Sequence, residues 1–151
     1  MISPTGLGIR VDGQGDGHFG ASRNGGAYAH ERVDFLCYPA QPVVMPITTG
    51  EILRVAWPYK VDGEYRGVLI GGRDDEVGAP VQIKLFYMVP FPLVGPRHRP
   101  ITQGQVIGFA QDIAARYNAG KDPDIEELMR PHVHLEVRVS GRLVNPEKYL
   151  K

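Results

Sequence analysis

The sequence predicts a mostly β, antiparallel and α-poor fold, carried by a single domain over residues 1–151. Three observations point there. Nineteen glycines and thirteen prolines exceed ordinary usage and are spread along the chain, which suits many short strands joined by tight turns. Apolar runs bounded by Gly or Pro recur, and the run from Pro131 to Val139 alternates with a period of two. Helix signals converge on one segment only, near residues 122–130. At 151 residues the chain can bury an ordinary core without disulfide or metal staples.

Taken in order, Leu7 to Val11 reads as a short strand, followed by the glycine-rich turn Asp12-Gly13-Gln14-Gly15-Asp16-Gly17. As a calcium loop this turn would need a bidentate Glu where Arg23 stands, so calcium is not expected. Asn24-Gly25-Gly26 is a second turn. Val33 to Tyr38, Val43 to Met45, Glu51 to Trp57, Gly67 to Ile70, Val81 to Val89 and Gln105 to Phe109 read as strands. Asp74-Asp75 is expected to make a solvated hairpin turn rather than a carboxylate dyad. Asp122 is a good N-cap, Pro123 fits the first helical position, and Asp124, Glu126 and Glu127 suit the positive end of a helix. Ile125, Leu128 and Met129 give its apolar stripe and Pro131 stops it; Asp112 to Tyr117 offers a second helical turn.

Composition excludes several classes of function. Seventeen basic and seventeen acidic side chains cancel, with no run of five or six like charges, so neither a nucleic-acid footprint nor a polybasic membrane patch is expected. The single Cys37 lies in an apolar run and reads as a buried, inert thiol. No signal peptide and no apolar run of membrane-spanning length is evident, so no membrane insertion is expected.

The strand Pro131 to Val139 places His132, His134, Glu136 and Arg138 on one face and Val133, Leu135, Val137 and Val139 on the other. Side chains two apart on a strand have roots roughly 7 Å apart, so the two imidazoles are not equivalent. One can hold a metal while the other reaches a water or substrate on it; two surface histidines are the plainer reading. Upstream stands His30-Glu31-Arg32-Val33-Asp34. Four residues of straight strand cover roughly 13 Å, too far for both side chains to reach one ion through bonds of about 2 Å. If both bind one ion, the chain bends between them, with His30 ending a loop and Asp34 opening a strand. A surface His and a turn Asp are the other reading. Together the motifs supply two imidazoles and one carboxylate with another imidazole beside them. Three protein ligands leave a fourth tetrahedral position for water, the arrangement of catalytic zinc, Zn(2+). Ligand type alone leaves other divalent ions open.

These parts resemble the lysostaphin/LytM-type zinc peptidases. The likeness is carried by Phe19-Gly20-Ala21-Ser22-Arg23, His30-x-x-x-Asp34, Pro42-Val43-x-x-Pro46-x-x-x-Gly50, Gly104-Gln105-x-Ile107-Gly108, His132-x-His134 and Asn145-Pro146-x-x-Tyr149-Leu150. It runs from Phe19 to Leu150, and the order and spacing of the motifs make it specific. Gly20-Ala21-Ser22-Arg23, Leu36-Cys37 and Phe86-Tyr87 look nearest to the branch holding leukocyte cell-derived chemotaxin. The resemblance implies a groove floored by antiparallel strands, His30, Asp34 and His134 as zinc ligands, and His132 as the acid/base histidine.

Two departures matter. The family usually has Gly where this chain has Arg32, which would strain the backbone if that position needs positive φ. Enzymes of the family also carry a further histidine where this chain offers Tyr87. A phenol with a pKa of about 10 can donate a hydrogen bond to an oxyanion but cannot act as an imidazolium. His98 is a substitute only if its loop swings in; it and His18 read as solvated loop histidines.

Two functions follow. One is a zinc endopeptidase cutting peptide cross-links of bacterial peptidoglycan, secreted, carried by a phage as a lysin, or released at lysis. The other is a zinc-holding module with weak or no catalysis that binds a wall peptide, glycan or protein partner. Tyr87 favours the second, and the intact ligand set serves both.

Overall fold

Residues 1–92 and 100–151 are described by the computed structural model. His98 therefore lies outside the described residues. The amino-terminal hairpin joins β1 (Val11–Asp12) to β2 (Gly15–Asp16), and the Asp12 carboxylate accepts the Gln14 N–H at 2.9 Å, the side-chain bond that shapes an Asx turn. Leu7 to Val11 is less regular than expected, with Ile9 making only an isolated bridge to Phe35. β3 (Ser22–Arg23) and β4 (Tyr28–Ala29) pair around the Asn24–Gly26 turn, where Gly25 and Gly26 hold φ of 65° and 98°.

The main sheet is assembled from β5 (Val33–Leu36), β7 (Thr49–Ala56), β8 (Gly67–Asp74), β9 (Ala79–Phe86), β11 (Ile101–Thr102), β13 (His132–Val139) and β14 (Arg142–Val144). Its order is β11-β7-β8-β9-β13-β14, and β5 pairs with β13 on the same edge as β14. A smaller sheet runs β10 (Met88–Pro90), β12 (Val106–Ala110), β6 (Pro42–Val44), and all pairings are antiparallel. Alternate side chains of both sheets meet in one buried cluster that includes Ile52, Ile70, Ile83, Leu85, Leu135, Val43, Met45, Met88 and Ile107. Each such aliphatic side chain contributes about 1.5–3 kcal/mol when withdrawn from water.

The other face of the main sheet is the floor of the groove. One row across it reads Ala56, Gly67, Phe86, His134, Asp34. Gly67 is required there, because a Cβ would run into the Leu85 carbonyl and the Phe86 ring.

The helix forms at the second of the two helical segments the sequence offers, Asp112 to Tyr117, and not at residues 122–130. α1 spans Ile113–Asn118, capped by Asp112, whose carboxylate accepts the Ala115 N–H at 3.1 Å, with Ile113 and Ala114 buried. Residues 122–130 make a single turn instead, in which the Ile125 and Glu126 N–H groups both reach the Asp122 carbonyl. The physical reason is packing. So short a helix needs a surface for its stripe, and Ile125 is 81% exposed. The Asn118 side chain also takes both the N–H and the carbonyl of Met129, at 2.9 and 2.8 Å, drawing that segment extended. The expected strand from Val81 to Val89 breaks at Tyr87, whose φ is +66°. Asp74 does open a hairpin, but it is buried rather than solvated, accepting the N–H groups of Glu76 and Val77. Among the described residues no helix is long and apolar enough to cross a membrane.

Candidate metal centre

Register brings the centre together. β5 runs antiparallel to the first half of β13 so that Asp34 lies directly across from His134. Cross-strand neighbours have Cβ atoms about 4.5–5.5 Å apart, close enough for the side chains to touch. Asp34 Oδ1 lies 2.6 Å from His134 Nδ1 and 3.5 Å from His30 Nε2. One ligand atom from each of His30, Asp34 and His134 lies within 4.8 Å of the others, and all three residues are buried. The bend expected between His30 and Asp34 is present. The His30 N–H bonds the Ala21 carbonyl and its own carbonyl takes the Gly20 N–H, so β4 ends before His30 and β5 starts at Val33.

Hydrogen bonds assign the imidazole protons. His30 Nδ1–H donates to the His18 carbonyl at 3.1 Å, which leaves Nε2 as an open acceptor toward Asp34. His132 Nδ1–H donates to the Arg130 carbonyl at 2.9 Å, and its Nε2 stands 3.8 Å from Asp34 Oδ2. Burial pushes the His134 pKa down to about 4 against the attraction of Asp34, and burial likewise lowers that of His132. Burial alone would raise the Asp34 carboxyl, but the His134 and His30 imidazoles outweigh it and hold it well below the usual range. At neutral pH the Asp34 carboxylate thus faces neutral His132 and His134 rings.

Asp34 Oδ1 and His134 Nδ1 are both buried and have no hydrogen-bond partner. The two atoms lie close together but out of hydrogen-bond geometry, and a shared cation would satisfy both. The donor set of two nitrogens and one carboxylate oxygen fits a divalent ion of the zinc type. A cavity of about 390 Å³ lined by Tyr28, Ala29, His30, Glu31 and Arg32 opens beside it.

Tyr87 stands over the imidazoles, its ring edge-to-face with both His132 and His134 at 5.6 Å between centroids. Its hydroxyl is 3.4 Å from that of Tyr59, which lies 2.8 Å from that of Tyr117. Burial raises the Tyr87 pKa, so its hydroxyl keeps its proton. A tyrosine at positive φ is backbone strain, and it sits where the imidazoles converge.

Arg32 carries no such strain, since among the described residues the non-glycine positions at positive φ are Asn24, Ala40, Tyr87 and Ser140. Its Nε faces Glu136 at 3.5 Å. Glu136, on the polar face of its strand, is nevertheless buried, because Arg138 and Lys84 close over it at 2.8 and 3.2 Å. His18 is half-exposed and its ring pairs with Glu147 at 3.0 Å. Sequence reasoning missed Arg10, which reaches Asp34 Oδ2, and Asp12, which pairs with Arg10; the available signal was a lone arginine inside the apolar run Leu7 to Val11.

Among known families and curated proteins, none matches the chain. Solved structures do. The solution structure of lysostaphin matches with a TM-score of 0.56 at 19% identity, covering 93% of this chain and 52% of that one. The antimicrobial peptidase lysostaphin from Staphylococcus simulans matches with a TM-score of 0.56 at 21% identity, over 97% of this chain and 52% of the other. The catalytic domain of the same peptidase, crystallized in the absence of phosphate, matches with a TM-score of 0.52 at 21% identity, over 91% and 89%. The chain thus spans about half of the longer structures and nearly all of the catalytic domain, whose fold it shares.

Proposed function

We propose that residues 1–151 form a zinc-dependent metalloendopeptidase domain that cleaves peptide cross-links of bacterial peptidoglycan. The observation that carries this reading is the pair of buried atoms Asp34 Oδ1 and His134 Nδ1, set 2.6 Å apart beside His30 without hydrogen-bond geometry, in a fold shared with a peptidase domain. His30, Asp34 and His134 would hold the ion. Zinc, when bound, supplies Lewis acidity toward a peptide carbonyl and makes water a better acid. The residues of the chain do the rest. His132, fixed by Nδ1–H on the Arg130 carbonyl, offers Nε2 to take the proton of the attacking water and return it to the departing amine. Tyr87 donates its hydroxyl hydrogen to the oxyanion that develops on the carbonyl. Tyr59 holds that hydroxyl from behind. The substrate peptide would lie along the groove floor, and the protein would act at the cell wall, by secretion, phage delivery or release at lysis.

A second reading, a zinc-binding module of the same fold with weak or no catalysis, is favoured by one specific observation. Tyr87 fills the space beside both imidazoles and cannot carry a proton through a catalytic cycle as a histidine would. The phrases Gly20 to Arg23, Leu36-Cys37 and Phe86-Tyr87, which resemble the chemotaxin branch, support the same reading. The deciding experiment is wall lysis by the purified zinc-loaded protein beside His132→Ala and Tyr87→His. Lysis by the parent that His132→Ala abolishes supports the peptidase. An inert parent with an active Tyr87→His establishes the binding module.

A further inference from the structure

The amino-terminal hairpin is fastened to the metal centre in two ways. Its main chain interlocks with Asp34: the Arg10 N–H donates to the Asp34 carbonyl at 2.8 Å, the Asp34 N–H to the Gly17 carbonyl at 2.9 Å, and the Gly17 N–H to the Arg10 carbonyl at 2.7 Å. The approach is so close that a Cβ on Gly17 would lie 2.8 Å from both the Arg10 carbonyl oxygen and Asp34 Cβ. Its side chains complete the join. Arg10 is 3% exposed; Nη1 donates to both oxygens of Asp12, at 2.8 and 3.0 Å, and Nη2 donates to Asp34 Oδ2 at 3.4 Å.

Asp12 reaches the other half of the site. Its Oδ2 accepts the Arg130 N–H at 2.9 Å, and the carbonyl of the same Arg130 receives His132 Nδ1–H at 2.9 Å. One buried guanidinium–carboxylate pair therefore touches the ligand carboxylate through Arg10 and the peptide that orients His132 through Asp12. We propose that the Arg10–Asp12 pair is a positioning device that fixes Asp34 and His132 relative to each other.

Tying Oδ2 to Arg10 leaves Oδ1 as the oxygen turned toward His30 and His134. Binding the Arg130 peptide holds its carbonyl against Nδ1, which keeps the neutral imidazole in the form whose Nε2 accepts a proton. Asp12 also offsets the charge of Arg10, so that the clamp donates a hydrogen bond to Asp34 without adding a net positive charge of its own to that of Arg23, whose Nη2 lies 3.8 Å from the same oxygen. An ion pair that merely braced the hairpin would need neither the Asp34 contact nor the Arg130 contact.

The inference rests on the peptidase-like reading for its metal arm and on geometry alone for its histidine arm, and the test separates them. Arg10→Ala, Arg10→Lys and Asp12→Asn would be compared with the parent by zinc competition against a chromophoric chelator, and in the metal-free state by ¹⁵N imidazole resonances of His132. Far-UV circular dichroism would select folded variants; Asp12→Asn, nearly isosteric, keeps the test alive if Arg10→Ala does not fold. Arg10→Ala is expected to weaken zinc binding by about 10–100-fold, the usual cost of losing a partner that orients a ligand. Arg10→Lys, with a point charge in place of a two-ended fork, should restore only part of it. Asp12→Asn should weaken zinc binding and shift His132 away from the Nδ1–H form. Folded variants with the parent's zinc affinity and an unchanged His132 signal would overturn the proposal. A parent that takes up no zinc sinks the reading under the previous heading, and the His132 signal then decides the present one by itself.

Discussion

The two halves of β13 follow one alternation and yet behave as opposites. In the first half, His132 and His134 face Asp34, and two of the buried polar atoms there have no hydrogen-bond partner. In the second half, Glu136 is equally buried but is surrounded by Arg138, Lys84 and Arg32. The strand's own period cannot make this difference; its neighbours on one edge do. β5 borders the first half and brings a carboxylate to a pair of neutral rings, while β14 borders the second and leaves Glu136 to its cations. Glu136 is satisfied from within the chain, whereas Asp34 Oδ1 and His134 Nδ1 converge with His30 on one point without a partner, which is what a site for an external ion requires.

The sharpest way to break this comparison is to remove a ligand. Asp34→Asn and His134→Ala should each abolish zinc retention through dialysis, read as metal content, whereas Glu136→Gln should retain the ion. Equal retention in all three would erase the distinction between the halves. Next in size is His132→Ala, which should hold zinc but lose wall-lytic rate by roughly a hundred- to ten-thousandfold in a turbidity assay.

The scaffold half has its own signature. Glu136→Gln should lower stability to urea by about 1.5–3 kcal/mol, the usual worth of hydrogen bonds to a charged group. Burial would raise the Glu136 carboxyl, but Arg138 and Lys84 hold it below its ordinary value. Its stabilising share is therefore complete above the unfolded value of about 4.3 and is lost as pH falls through the lower folded value. Glu136→Gln should flatten that acid limb of a stability–pH curve; an unaltered limb would assign the acid sensitivity elsewhere.

The smallest effect is expected at the rim, where His18 pairs with Glu147 at half exposure. The hydrogen bond to Glu147 raises the His18 pKa, so the pair contributes fully below the unfolded value of about 6.5 and fades as pH rises through the folded one. His18→Gln should cost no more than about 1 kcal/mol, and only on the acid side of that range. A larger loss would mean that the His18 carbonyl, which receives His30 Nδ1–H, had moved with its side chain.

Much of the site could be read from residue order. His132 and His134 had to share a strand face, and His30 and Asp34 could meet only if the chain bent between them, as it does. The turn at Asp112 to Tyr117 became the helix, and the one expected at 122–130 did not, because caps and a stripe report what a segment can do alone, while the Asn118 side chain and the exposure of Ile125 decided what residues 122–130 did. Tyr87 could be recognised as a substitution, but its left-handed backbone and its seat between the imidazoles could not.

What the sequence settled by itself is local: which residues alternate, where glycine must stand, and which side chains are chemically able to bind a divalent ion. The tertiary structure alone decided that Asp34 faces His134, because strand register joins positions about a hundred residues apart, and that Arg10 stands behind Asp34. Neither strand's own period contains that choice, and a slip of one residue would have turned every one of those side chains to the opposite face.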